Sequence, residues 1–153
     1  MSNLFQDPCL GATEVNPAEN WRSYSSIWNN DARGTGHATS MLDSVQAWSA
    51  AHATAGEWVQ MDLGKTTCLT GALTQRRAGS AQRVTSYKIS YSTDGDSFTE
   101  LNPVFSGNVA NDDNIVKNRF QGVQARYVRL IVQTWEEHIS MRAGLIAGLA
   151  GIF

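Results

Sequence analysis

Three segments of the chain alternate apolar and polar residues with a period of two, the pattern typical of half-buried β-strands. In the first, GEWVQMDLG, the apolar residues Val59, Met61 and Leu63 share one face of the predicted strand. The others are VTSYKISYSTDG, which runs into the turn signal Asp94-Gly95, and ARYVRLIVQT. Each strand has an apolar face that a second layer must cover. The alternation therefore predicts an all-β sandwich or jelly roll.

The chain length fits one domain of this kind, and we expect residues 1–153 to form a single domain. Apolar residues make up 42% of the chain and charged residues 17%, a composition that supports a packed core and argues against disorder. Two stretches rich in glycine and polar residues, 29–40 and 76–83, are predicted to be surface loops between strands.

The charge balance argues against nucleic-acid binding. Lys and Arg number 12 and Asp and Glu 14, so the net charge is -2 and the basic surface that nucleic acids attract is missing. No apolar run approaches the roughly 20 residues that span a bilayer, and residues 1–10 lack the basic and apolar regions of a secretory signal. Two origins stay open: cytosolic synthesis with non-classical export, or removal of a signal.

The two cysteines lie in different contexts. Cys9 lies in an irregular leader, whereas Cys68 lies in the apolar run TCLTGAL. No recognised motif for thiol catalysis surrounds either residue. We therefore expect two free thiols, with Cys68 packed in the core as a small apolar side chain.

A longer series of motifs runs from about Cys9 to Ile146. The motifs are LDSVQAWSA, GEWVQMDLGK, the Gln-x-Arg of residues 75–77, VTSYKISYSTDG, ARYVRLIV and TWEEHISMR. In order and spacing this series resembles the discoidin domain, a family that also contains the coagulation-factor C-type domains and galactose-binding-like modules. The short interval from Asp43 to Trp48 is similar to that of the amino-terminal domain of slime-mould discoidins. The resemblance implies an eight-stranded jelly-roll β-sandwich of the galactose-binding-like type, with ligand-binding loops at one end.

Some residues match positions that are present in the family whatever the ligand, and we expect structural roles for them: core packing for the aromatic residues, and carboxylate or carbonyl partners for the arginines. They are Trp58, Asp62, Tyr87, Tyr91, Arg129, Ser140 and Arg142. The sequence Asp94-Gly95-Asp96 resembles the start of a calcium loop, but further ligand positions are missing. We interpret it as a hairpin turn.

The predicted loops carry the groups that recognise a hexose: planar side chains for neighbouring hydroxyls, and an aromatic surface for the C–H face of the ring. The candidate ligand-binding residues are Asn30, Asp31, His37, Asp43, Arg77, Arg83, Trp135 and His138. Each residue taken singly has a simpler interpretation as a solvated loop side chain, because such loops are polar in every β-sandwich. The family topology implies that these loops converge. Asp43 and Arg77 lie in matched motifs, and bracing of the loops is their alternative role.

The sequence departs from its relatives at three positions. Arg83 stands where the most similar family members carry a tryptophan, so a guanidinium plane replaces a stacking ring. Gly144 stands where many relatives carry a calcium-binding glutamate, so calcium is allowed but not required, and no other cofactor is expected. Gly148 or a neighbour replaces the cysteine that closes many relatives. We therefore expect Cys9 to lack a partner and the tail to be held by apolar burial of Leu145, Ile146, Leu149, Ile152 and Phe153.

The favoured function is that of a non-enzymatic lectin for galactose or N-acetylgalactosamine, outside the cell or at its surface. A shallow single site binds weakly, so adhesion or agglutination requires several sites on one assembly. We therefore expect a homo-oligomer, for which the apolar tail at 144–153 offers a surface.

Two other binding functions stay open. Docking on anionic phospholipid needs basic residues beside exposed apolar loop tips, and the candidate tips are limited to Trp28, Met41 and Trp135. A protein-binding role in adhesion has no sequence feature against it. Catalysis is not expected, because the adjacent carboxylates at 112–113 and 136–137 point apart on extended chain, and no nucleophile elbow, phosphate loop or HExxH motif is present.

Overall fold

The computed structural model describes residues 9–148, and the strands below lie in that range. Helical structure there is limited to two short 3₁₀ turns, Glu19–Trp21 and Trp28–Asn30, and neither is long enough to span a membrane. The strands are β1 Thr13–Val15, β2 Arg22–Tyr24, β3 Trp48–Ser49, β4 Trp58–Gln75, β5 Arg83–Ser92, β6 Thr99–Glu100, β7 Phe105–Ser106, β8 Val116–Glu136 and β9 Ser140–Gly148.

The long strands β4 and β8 pair antiparallel along most of their length and join two layers. The first half of β4 pairs with β2 and with the second half of β8, which in turn pairs with β5. The second half of β4 pairs with β9 and with the first half of β8. The register shifts between Asp62 and Thr67 and between Leu69 and Gly71, and such irregularities bend a strand. The sheet therefore curls over itself.

This architecture confirms the all-β, galactose-binding-like fold class. The path through the sheet is β1-β9-β4-β8-β5-β6. Off this path, β2 pairs with β4, β3 pairs with β9 and β7 pairs with β5. The described residues form nine strands where the resemblance implied eight, and three of the nine, β3, β6 and β7, are two-residue edge strands.

The core lies between the two layers and is built from the alternating residues. Val59 and Met61 on β4 are buried, as are Val128, Leu130 and Val132 on β8, so the period of two predicted from the sequence is confirmed. The second layer contributes mainly aliphatic side chains, and the largest ring in the core belongs to β3. These buried residues include Trp48, Leu69, Met141 and Leu145.

The connections agree with the loop and turn predictions. Residues 29–40 and 76–82 are irregular, and β5 begins at Arg83. After β5, Asp94 Oδ1 accepts hydrogen bonds from the backbone N–H groups of Asp96 and Ser97, at 2.8 and 3.0 Å. These bonds lower the pKa of the Asp94 carboxyl. The Asp94-Gly95-Asp96 sequence is therefore a turn, as expected.

Arg22 is a buried cation that joins three parts of the chain. Its side chain donates to the carbonyl oxygens of Pro17, Ser40 and Ala143 at 2.7–2.9 Å, and also to Asn16 Oδ1. Burial lowers the pKa of the guanidinium. Because Ala143 lies on β9 and Ser40 ends the first long loop, this one side chain fixes the loop against both layers.

The expectation of free thiols is wrong. Cys9 and Cys68 form a disulfide with their Cα atoms 5.2 Å apart, so Cys9 has a partner and Cys68 is more than a buried apolar group. The strand geometry brings them together, and Gly122 on β8 leaves the space, since a side chain there would overlap both sulfur atoms. Leu145 and Ile146 are buried as expected, whereas Leu149, Ile152 and Phe153 lie outside the described residues.

Replacing both cysteines with alanine is expected to lower the free energy of unfolding by about 3–4 kcal/mol, because the bridge closes a long loop of the unfolded chain. The sequence separation of the two cysteines is 59 residues. Urea unfolding with and without a thiol reductant measures the effect. Reductant should shift the wild-type midpoint toward that of the double variant and leave the variant unchanged. Equal midpoints in all four samples would contradict the prediction.

Arg22→Met is expected to destabilise the fold by about 3–5 kcal/mol, because it leaves several buried carbonyl oxygens without a donor. Arg119→Met is the matched control: Arg119 is exposed on β8, and its loss should change stability by less than about 0.5 kcal/mol. Chemical unfolding of the wild type and both variants measures these changes in the free energy of unfolding. Similar stabilities of the two variants would show that the hydrogen bonds of Arg22 contribute no more to folding than an exposed side chain does.

Candidate functional site

A cleft of about 240 Å³ opens at one end of the sandwich, where the connections between strands meet. Its side chains come from four parts of the fold: the β2–β3 connection, β3 itself, the β4–β5 loop and the β8–β9 loop. The lining residues are Trp28, His37, Ser49, Arg77, Gln82 and His138. We refer to this site as the loop-end cleft.

Trp28 forms an aromatic wall of the loop-end cleft. It begins the 3₁₀ turn Trp28–Asn30, in which Asn29 and Asn30 have positive φ angles of 59° and 50°, a conformation that asparagine tolerates well. Trp28 is 49% exposed. The rings of His37 and His138 contact it edge-on, with centroids at 6.5 and 5.7 Å. Much of the indole surface is therefore available for contact with a ligand.

Asp31 fixes the orientation of His37. Asp31 Oδ2 lies 2.9 Å from the backbone nitrogen and 2.8 Å from Nδ1 of His37. These two hydrogen bonds lower the pKa of the Asp31 carboxyl. Gly36 permits this arrangement, because a side chain there would overlap the carboxylate. With Nδ1 donating to Asp31, Nε2 of the neutral ring is left as an acceptor for a ligand hydroxyl.

Arg77 and Gln82 are held by a chain of hydrogen bonds across the cleft. Arg77 Nη1 donates to Gln82 Oε1 at 3.2 Å, and Ser140 Oγ donates to the same oxygen at 3.1 Å. Ser49 Oγ then donates to Ser140 Oγ. Within residues 9–148, the other guanidinium N–H groups of Arg77 and the amide N–H groups of Gln82 have no protein acceptor, so they can bind a ligand.

His138 completes the far side of the cleft. Its Nε2 donates to the carbonyl oxygen of Ala50 at 2.8 Å, which leaves Nδ1 of the neutral ring as an acceptor. The preceding residue, Glu137, has a positive φ of 63°, so the β8–β9 connection turns sharply before the histidine. Each of the two histidines therefore contacts Trp28 and keeps one ring nitrogen as an acceptor.

The structure brings some of the predicted site residues together and separates others. His37, Arg77 and His138 line the loop-end cleft, and Asp31 supports it through His37. Asn30 is exposed on the adjacent turn. The remaining three lie outside the lining: Asp43, Arg83 and Trp135.

Each of those three residues has a partner elsewhere. Asp43 exchanges two hydrogen bonds with Gln75, at 2.8 and 3.0 Å, and thereby braces its loop. Arg83 donates to the carbonyl oxygens of Val109 and Ala81. Trp135 packs against the core.

Three lining residues lie outside the candidate set of eight. From the sequence, Trp28 is a candidate membrane-contacting tip, and Gln82 is one of the polar loop residues around Arg77 without being a chosen candidate. Ser49, on its short strand, has no sequence signal. The adjacent asparagines Asn29 and Asn30 are a sequence signal for a turn, and Trp28 directly precedes them.

The buried Arg142 has the structural role expected for it. Its side chain is 5% exposed and donates to the carbonyl oxygens of Arg76 and Ser44 at 2.8 and 3.0 Å. Burial lowers the pKa of this guanidinium, while nearby Asp113 opposes the shift. Arg76 in turn holds the pKa of Asp113 below its usual range. Arg142 therefore ties the β4–β5 loop to the loop that carries Asp43.

The described residues contain no group of three or more His, Cys, Asp or Glu side chains placed to hold a metal ion. Gly144 offers no side-chain ligand, and its surroundings have no room for a side chain. A Cβ at this position would lie 2.6 Å from Leu42 Cδ1 and 2.9 Å from the carbonyl oxygen of Val15. The residue that supplies a carboxylate in many relatives is thus replaced by close packing on β9.

The chain belongs to the F5/8 type C domain family, whose model matches residues 16–145. This match confirms the resemblance to discoidin domains. Lactadherin of Rattus norvegicus is 37% identical over 130 residues, an alignment that covers 78% of this chain and 30% of lactadherin. The chain therefore spans less than a third of the length of that relative.

Solved structures share the fold. Discoidin II of Dictyostelium discoideum superposes with a TM-score of 0.68 at 22% identity, over 90% of this chain and 58% of discoidin II. A family 32 carbohydrate-binding module of Clostridium perfringens NanJ, solved in complex with galactose, gives a TM-score of 0.67 at 12% identity, over 88% of this chain and 99% of the module.

The Asp31–His37 contact predicts a pH dependence of stability. Because the folded state lowers the pKa of Asp31, the carboxylate stabilises the fold fully above its unfolded pKa of about 3.9 and loses this contribution as pH falls through the lower folded value. The unfolding midpoint of the wild type should therefore be higher than that of Asp31→Asn at neutral pH. The difference between the two midpoints should shrink below about pH 4. A difference that is constant across this range would refute the prediction.

Proposed function

We propose that this domain is a non-enzymatic lectin that binds galactose or N-acetylgalactosamine in the loop-end cleft and acts in adhesion or agglutination. One observation carries the proposal: the exposed Trp28 indole is flanked by His37, Arg77 and His138, whose free hydrogen-bonding groups are fixed in direction. An aromatic face beside converging planar donors and acceptors matches the apolar face and neighbouring hydroxyls of a pyranose.

Three lining residues contact the sugar directly in this proposal. The indole of Trp28 contacts the C–H face of the sugar. Arg77 donates to one hydroxyl, while Nε2 of His37 accepts from another. Because Asp31 and Gln82 already hold these two side chains, little side-chain entropy is lost on binding.

Two further observations support binding to sugar without hydrolysis of it. A protein with the same fold is solved with galactose bound, although its identity to this chain is only 12%. The lining of the loop-end cleft has no carboxylate among the described residues, and Asp31 beside it is committed to His37. Glycoside hydrolysis by the usual mechanism requires two carboxyl groups about 5–10 Å apart across the bond.

The shallow cleft implies weak binding of a single sugar, so strong adhesion depends on several clefts acting together. We propose that copies of the domain associate in a homo-oligomer outside the cell or at its surface.

A second candidate function is docking on anionic phospholipid, and specific exposed side chains favour it. Val45 is 91% exposed and Val109 is 63% exposed, in addition to Trp28. Arg83 donates to the carbonyl oxygen of Val109, so a basic group lies beside one of these apolar tips. Insertion of apolar tips and attraction of arginine to headgroups act together in such docking.

Arg77→Ala and Trp28→Ala are each expected to weaken binding of methyl β-galactoside about tenfold or more, which corresponds to loss of one charge-assisted hydrogen bond or one stacking contact. Titration calorimetry on the full chain, with calcium and with a chelator, measures the change. Arg119→Ala is the matched control, because it removes an equal charge from an exposed position outside the cleft.

A glycan array with the folded wild type identifies the preferred sugar before these titrations. Binding to terminal galactose-type glycans that Arg119→Ala retains and Arg77→Ala loses would support the lectin proposal. A blank array would overturn it. Binding to phosphatidylserine vesicles that Val45→Asp removes would then favour the second candidate.

A further inference from the structure

A second exposed indole lies away from the loop-end cleft. Trp21 ends the 3₁₀ turn Glu19–Trp21 and is 45% exposed. It borders two clefts, an apolar one of about 370 Å³ beside Val15, Pro17 and Leu63, and a polar one of about 180 Å³ beside Arg33 and Gln60. Trp21 and Asp62 line both. The ring therefore has open space next to it on a face of the sandwich.

This region shares no lining residue with the loop-end cleft. Tyr127, which lines the polar cleft, pairs with Ser92 at one end of the β5–β8 ladder. The loop-end cleft lies beyond the other end of that ladder, where Arg83 pairs with Glu136. The two sites are therefore separate.

The polar groups beside Trp21 are already held in place. Arg126 donates to both oxygens of Asp62, at 2.9 and 3.2 Å, so the carboxylate is fixed and its charge balanced. Gln60 Oε1 accepts from Arg129 at 2.8 Å, which fixes the amide group. Arg33 Nη1 donates to the carbonyl oxygens at residues 20 and 22, at 3.2 and 3.3 Å.

These contacts leave several hydrogen-bonding groups that can bind a ligand. Asp62 Oδ2 accepts one hydrogen bond, from Arg126, and can accept another. Within residues 9–148, the amide N–H groups of Gln60 and the remaining N–H groups of Arg33 have no protein acceptor. An acceptor, an amide donor and a guanidinium donor thus lie beside an exposed aromatic ring.

We propose that Trp21, Asp62, Gln60 and Arg33 form a second glycan-binding site, which takes a neutral pyranose against the indole. The sugar hydroxyls bind the three polar side chains, while the C–H face contacts the ring. Because this site and the loop-end cleft lie apart on one chain, a single molecule can connect two glycan chains. Agglutination would then not require oligomerisation.

The test follows the indole N–H and side-chain amide signals of the isotope-labelled full chain by NMR. Methyl β-galactoside, methyl N-acetyl-β-galactosaminide and methyl α-mannoside are titrated separately. The indole signal of Trp21 and the amide signals of Gln60 should shift with at least one glycoside, and should still shift in Trp28→Ala. Trp21→Ala should weaken the Gln60 response at least tenfold, whereas Trp21→Tyr, which keeps an aromatic face, should retain it within about threefold.

The outcomes separate this proposal from the lectin proposal. If the Trp28 signal shifts while the Trp21 and Gln60 signals stay constant, the second site is refuted and the loop-end site stands. If only the Trp21 and Gln60 signals shift, the second site stands and the loop-end assignment fails. Constant signals everywhere with all three glycosides overturn both. An equal Gln60 response in Trp21→Ala and wild type also overturns the second site.

Discussion

The antiparallel pairing of β4 with β8 is the constraint on which the rest of the structure depends. Both layers are made from halves of these two strands, so β2, β5 and β9 attach to a single bent ladder. The bend requires close approach of the backbone at Gly71, where a Cβ would lie 2.5 Å from the carbonyl oxygen of Asn118. A slip of one residue in this ladder would reverse the buried and exposed faces in both layers at once. The positions of the loops follow from it.

Buried arginines connect this ladder to the loops. Arg22 and Arg142 both bind main-chain carbonyl oxygens, which do not change charge with pH and do not move unless the backbone moves. Each arginine therefore fixes loop backbone, whereas Asp31 and Gln82 fix the side chains that face the loop-end cleft. A binding surface prepared in this way loses little conformational entropy on contact with a ligand. This matters most for a sugar, whose individual contacts are weak.

The sequence predicts the fold well because strand alternation and turn chemistry are local. Val59, Met61 and the Asp94 turn could be read from neighbouring residues, and the motif series implied which end carries the ligand loops. The disulfide could not be predicted from neighbouring residues, because Cys9 and Cys68 meet only after the strands have assembled. The same limit applies to Ser49, whose contact with Ser140 spans much of the chain. Local patterns also do not show that Asp43 binds Gln75 while His37 faces the cleft.

The disulfide also helps to fix where the described chain begins and ends relative to the loop-end cleft. Cys68 pairs with Gly148 at one end of the β4–β9 ladder, and a Cβ on Gly148 would lie 3.5 Å from the carbonyl oxygen of Cys9. The described chain therefore enters and leaves side by side, at the opposite end of that ladder from Gln75, which leads into the loop of Arg77. Immobilising the domain through either end would leave the loop-end cleft facing the solution. Within a longer chain, the connections at residues 9 and 148 would lie at the opposite end of the β4–β9 ladder from the loop that carries Arg77.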